Sequence, residues 1–165
     1  YYECFARSNM GWCVMLRGNL SNEVRPRVLL VFEGALGFLS DKRVKEFNRC
    51  CSEGMWGEGW GLWELNDLMM RKIWDVVQRQ MIQVEVATLF IPEDFCDVAA
   101  TGLQETLDDH GLPVSRVFAM EAPRLAREIM FMPDLACVYD ANPETAACYG
   151  TKGRLLRNVH DFCRF

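Results

Sequence analysis

The sequence predicts a three-layer, doubly wound α/β domain on a mostly parallel sheet. Three observations carry that expectation. Val28, Leu29, Leu30, Val31 and Phe32 form an unbroken apolar run, the pattern of a strand covered on both faces in a parallel sheet. Downstream, strand-like and helix-like patterns alternate, which implies right-handed crossovers and helices on both faces. Three of the predicted strands end near a polar residue, Glu33, Thr88 or Asp140, at the carboxyl ends where such sheets receive ligands.

The elements follow in order. The first strand is read at 27–33, after "NEVRP". "KRVKEFNRCC" (42–51) reads as a short helix with Val44, Phe47 and Cys51 on one side. "SEGMWGEGWGLW" (52–63) holds four glycines among Trp56, Trp60 and Trp63, and reads as a loop or insertion. "ELNDLMMRKIWDVVQRQ" (64–80) is the clearest helix, with Leu65, Leu68, Met69, Ile73, Val76 and Val77 at helical spacing. The second strand is "IQVEVATLF" (82–90), ending near Thr88. A helix with early acids follows and stops at Gly111 before Pro113. "SRVFAM" (115–120) is a third strand, and the next helix opens with Pro123 in its first turn. "LACVYD" (135–140) is a fourth strand, and Asn142 caps a short helix that has Pro143 first and Gly150 as its stop. "GRLL" (153–156) closes the series. Upstream, residues 1–26 form an extension or arm in which "GWCVMLRG" (11–18) offers an edge strand, and residues 27–165 form the domain.

The composition is that of an ordinary globular chain: of 165 residues, 50% are apolar and 25% charged. A net charge of −5 disfavours a nucleic-acid partner. The tract "TKGRLLR" is a local anion site or, more plainly, a solvated loop. Eight cysteines are present, with no CxxC pair and only His110 and His160 as histidines. Reduced thiols in the cytoplasm are therefore expected, with no metal. No signal-peptide pattern and no apolar stretch of membrane-spanning length is found, so no membrane partner is expected.

The order of strand-end residues resembles the haloacid dehalogenase-like (HAD) superfamily over about residues 27–157. In that family a first strand ends in Asp-x-Asp-Gly-Thr/Val-Leu, a second in Ser or Thr, and a fourth in one or two acids. Here these places hold Val31-Phe32-Glu33-Gly34-Ala35-Leu36, Thr88 and Asp140. The tail "VYDANPETAACYGTKGRLL" is the most family-like piece. The resemblance implies a Rossmannoid core with a minimal cap or none. It offers Arg124 and Arg127 as counterparts of the family's basic residue, and Glu33, Gly34, Thr88, Arg124 and Asp140 as ligand-binding candidates. Small degenerate proteins of this look occur in bacteriophages.

The departure lies at the nucleophile. On the family motif Val31 takes the place of the attacking aspartate. A valine cannot form an acyl phosphate or ligate Mg²⁺. Moving the frame to Glu33 leaves Ala35 where the second acid belongs. The expectation is a catalytically silent HAD-like domain acting as a binding or assembly protein, without a cofactor. It would self-associate or meet a protein partner through Trp56, Trp60 and Trp63. Two alternatives stay open: a phosphohydrolase with an atypical acid set and Mg²⁺, and a phosphate- or nucleotide-binding module. Glu33, Thr88 and Asp140 also have plain structural readings, as acceptor of loop amides, strand hydroxyl and Asx turn.

Overall fold

The computed structural model describes residues 2–7, 13–17, 25–89, 91 and 93–164, with the backbone alone for 2–7, 13–17 and 93. Strands β1 (Tyr2–Arg7) and β2 (Cys13–Arg17) pair antiparallel in a sheet of their own. This corrects the edge-strand expectation for 11–18, because β2 finds its hydrogen bonds in β1. Apart from Arg25 and Pro26, the rest of the expected 1–26 arm lies outside the described residues.

The domain begins with β3 (Arg27–Val31), whose last four residues are buried. The chain then turns sharply: the amides of Leu36 and Gly37 both donate to the Phe32 carbonyl at 3.0 Å. Gly34 supplies the left-handed conformation this turn needs, at φ 78°. β4 (Gly37–Phe38) leads to α1 (Asp41–Ser52), then α2 (Trp56–Gly61), β5 (Glu64–Leu65, antiparallel to β4) and α3 (Asp67–Arg79). Asn66 caps α3 by accepting the Leu68 and Met69 amides. There follow β6 (Gln83–Thr88), α4 (Cys96–Asp109), β7 (Val114–Ala119) and α5 (Ala122–Ile129). β8 (Leu135–Asp140), α6 (Pro143–Cys148) and β9 (Gly153–Leu155) complete the series.

The five main strands form one sheet in the order β7-β6-β3-β8-β9, every neighbouring pair parallel. The fold is thus α/β, a parallel five-stranded sheet flanked by helices, and β3 is central as the sequence predicts. Strand pleating explains the double-sided core. Val28 and Leu30 enter one cluster with Phe47, Trp60, Ile73 and Leu103 from α1 to α4. Leu29 and Val31 enter a second with Leu125 and Ile129 of α5 and Tyr149 after α6.

The segment 52–63 is where the structure departs most from expectation. It is not a loop: Trp56–Gly61 is helical, and Trp56, Trp60 and Trp63 are 8%, 1% and 8% exposed. Trp60 lies 5.5 Å from both Phe32 and Phe47, centroid to centroid, and its indole N–H donates to the Ala99 carbonyl at 3.0 Å. The glycines allow close approach rather than looseness. A Cβ on Gly59 would sit 3.3 Å from the Cys50 Cβ, and one on Gly102 of α4 only 2.9 Å from the Trp56 Cβ. Tryptophans held inside the chain offer no exposed anchor, so the interface expectation for these three loses its physical basis.

Candidate functional site

In the order above, successive strands run outward from β3 through β6 and β7, and the chain then crosses back to β8 beside β3. β3 and β8 therefore flank the topological switch point, where parallel sheets open a crevice beyond their carboxyl ends. A cleft of about 510 Å³ lies there, with Val31, Glu33, Gly34, Asp140, Asn142 and Thr145 among its lining residues. The sheet thus gathers Glu33, Gly34 and Asp140 as predicted, and Thr88 reaches the cleft through Glu33.

Glu33 stands two residues beyond the end of β3, and its carboxylate bonds to residues at the end of β6. One oxygen accepts the Thr88 hydroxyl, and the Leu89 amide donates to both oxygens at 3.1 and 3.2 Å. Thr88 itself is fully buried, so its hydroxyl needs this acceptor. The carboxylate thereby ties the end of β3 to the end of β6; it accepts an amide, as the structural reading expects, but from the chain after β6 rather than from its own loop.

Asp140 ends β8 at 1% exposure. Its Oδ1 accepts the Asn142 amide at 2.9 Å, the Asx turn read from "DANP". Its Oδ2 accepts the hydroxyls of Thr145 at 2.6 Å and Tyr149 at 3.1 Å. Burial pushes the Tyr149 phenol well above its ordinary range and the Asp140 charge adds to the effect, so Tyr149 donates as a neutral phenol. Thr145 and Tyr149 escape sequence reasoning. Their signal is the spacing of five and nine residues from Asp140, which one short capped helix folds back onto the carboxylate.

The basic candidates do not join. Arg124 is exposed on α5 and lies 3.9 Å from Glu128, one helical turn on. Arg127 is exposed in the last turn of α5. Neither lines the cleft, whereas Ala122 at the start of α5 does.

Among the described residues the cleft lining therefore presents two carboxylates and no base, and Val31 there is 1% exposed. A carboxylate oxygen has about two acceptor positions. Asp140 Oδ2 has both filled by protein hydroxyls, and Glu33 Oε1 holds a hydroxyl and an amide. Among the described residues no group of three or more His, Cys, Asp or Glu is placed to hold a metal ion. Asp140 Oδ1 and Glu33 Oε2 each accept a protein amide. With that geometry in view, comparison with known proteins adds no relative. No family model, curated protein or solved structure matches the chain. Among the described residues, Cys50, Cys51, Cys137, Cys148 and Cys163 form no disulfide. No described helix is long and apolar enough to cross a membrane.

Proposed function

We propose that this chain is a HAD-like domain without phosphoryl-transfer chemistry, working as a binding or assembly protein. The observation that carries the reading is at the end of β3. Val31 occupies the position the resemblance assigns to the nucleophile, and the acid two residues on, Glu33, is bonded to the Thr88 hydroxyl and the Leu89 amide. Acyl-phosphate formation needs a free, activated carboxylate at that place. The resemblance is supported by the strand order and by the meeting of Glu33 and Asp140 at one crevice, with Thr88 bonded to Glu33.

The same geometry ranks the alternatives lower. A phosphohydrolase on Glu33 and Asp140 would have to release carboxylates that hold the cleft walls together. A phosphate- or nucleotide-binding module would have to place an anion between two carboxylates with neither Arg124 nor Arg127 among the lining residues, an electrostatically uphill arrangement.

The test is hydrolysis of a generic aryl phosphate by the purified chain with millimolar Mg²⁺. Turnover should equal that of the buffer blank. Magnesium-dependent turnover that disappears in Glu33→Gln would replace this reading with the phosphohydrolase one. Val31→Asp with Glu33→Asp should give little activity, because catalytic groups must sit within about 0.5 Å of productive geometry.

A further inference from the structure

The chain's negative charge is not spread evenly. Residues 93–109 hold six acids (Glu93, Asp94, Asp97, Glu105, Asp108 and Asp109) and no lysine or arginine. Since the whole chain carries −5, this one segment accounts for all of it, and the remainder carries +1. No lysine or arginine occurs between Arg79 and Arg116, and His110 follows Asp109 at the end of α4. Asp94, Asp97, Glu105, Asp108 and Asp109 are all exposed on α4 or the short turn that precedes it.

Asp108 accepts the Gln104 side-chain amide at 3.0 Å, but the helix dipole does not account for the pattern. Asp97 in the first turn complements the helix dipole, but Asp108 and Asp109 lie at the opposite end, with no basic residue in the last turn. Acids there oppose the dipole. Glu105 also stands three and four residues from Asp108 and Asp109, a spacing at which like charges repel. Beside the acids, Phe95 and Val98 are 41% and 52% exposed, and Phe95 packs on Trp56 at 6.0 Å between centroids. An exposed aromatic next to carboxylates favours cationic side chains, which gain ring attraction and ion pairing together.

We propose that this outer surface, from Phe95 to Asp109, docks a basic amphipathic segment of a partner protein. The inference rests on the binding-protein reading and gives its partner a chemistry. Apolar side chains of the segment meet Phe95 and Val98, and its lysines or arginines lie along Glu105, Asp108 and Asp109. The sign of the charge turns away nucleic acid and anionic lipid surfaces.

The experiment measures binding of a fluorescent Lys/Leu amphipathic peptide to the full chain by anisotropy, with a Glu/Leu peptide of the same pattern beside it. The Lys/Leu peptide should bind and weaken at least tenfold when salt rises from 50 to 500 mM on the order expected for screened charges. The Glu/Leu peptide should not bind. Glu105→Gln/Asp108→Asn/Asp109→Asn and, separately, Phe95→Ser/Val98→Ser should each weaken binding at least tenfold. Neutralising three exposed acids elsewhere, Asp41→Asn/Glu64→Gln/Asp134→Asn, should change it less than twofold. Thermal melts confirm that every variant is folded. Absence of binding overturns the proposal, as does equal loss in the two charge-neutralised variants, which would reduce the effect to net charge. Sedimentation of the peptide-free chain covers the remaining occupant: a dimer that the α4 variants dissociate would assign this face to a second copy instead. Phosphatase turnover is read in a separate assay, so failure of the binding-protein reading remains distinguishable.

Discussion

Replacing Trp60 with alanine tests the central packing of the domain. The side chain is 1% exposed and touches three aromatic partners, Phe32, Phe47 and Trp63, at centroid separations of 5.5, 5.5 and 5.8 Å. It also donates a buried hydrogen bond to Ala99. Truncation of a buried tryptophan costs about 3–5 kcal/mol, and lost aromatic pairs and a lost hydrogen bond place this site toward the upper end. At roughly 2–4 °C per kcal/mol for a domain of this size, the melting temperature should fall by about 8–20 °C. Urea denaturation followed by circular dichroism measures the loss as a shift in midpoint at constant slope. Trp74→Ala is the control. That side chain is 52% exposed, though its indole donates to the Gly111 carbonyl, so its loss should cost only about 1 kcal/mol. If Trp60→Ala costs no more than Trp74→Ala, the segment 52–63 is a surface loop after all and the packing described above is wrong.

Other outcomes follow from the same structure. Gly102→Ala should destabilise by about 1 kcal/mol or more by the same denaturation measurement, despite alanine's better helix propensity, because its Cβ would lie 2.9 Å from Trp56. Arg27 makes hydrogen bonds of 2.9 and 3.0 Å to both oxygens of Glu85, which is 3% exposed on β6. Arg27→Met should cost about 3–5 kcal/mol by stranding that carboxylate, while Arg27→Met/Glu85→Met should recover most of the loss. Cys137 is a buried thiol pushed by burial up to about 11 from 9.0. An unfolded thiol therefore ionises first as pH rises. Stability is fully present below pH 9 and declines as pH climbs toward 11, a slope that Cys137→Val should flatten in melts at stepped pH. In native buffer an aromatic disulfide reagent should modify exposed Cys148 well before buried Cys137 and Cys163.

The architecture was legible because its signals are local. The apolar run 28–32 marked a strand covered on both faces, and β3 proved central. Asn142, Pro143 and Gly111 marked helix ends through capping and backbone chemistry that operate within a few residues. The Asp140 turn was legible for the same reason, since its carboxylate bonds an amide two residues away. The partners of Glu33 were not legible in that way. Thr88 and Leu89 lie 55 and 56 residues on, and only parallel pairing of β3 with β6 brings them to it. The Thr145 and Tyr149 hydroxyls needed a folded α6 to reach Asp140. The glycine- and tryptophan-rich segment was misread because local propensity favours a loop there. Gly59 and Gly102 earn their place by admitting neighbouring side chains, a fact of tertiary contact that spacing along one segment does not contain. Charge was written plainly in residues 93–109, but its exposure on one helix face was decided by which side of α4 packs against the α2 tryptophans. Sequence alone determined the five strands of the parallel sheet and the helix ends marked by caps and glycines. The partners of the two carboxylates, the buried tryptophans and the acidic outer face came from the packing of distant elements, because burial and hydrogen bonding depend on neighbours in space.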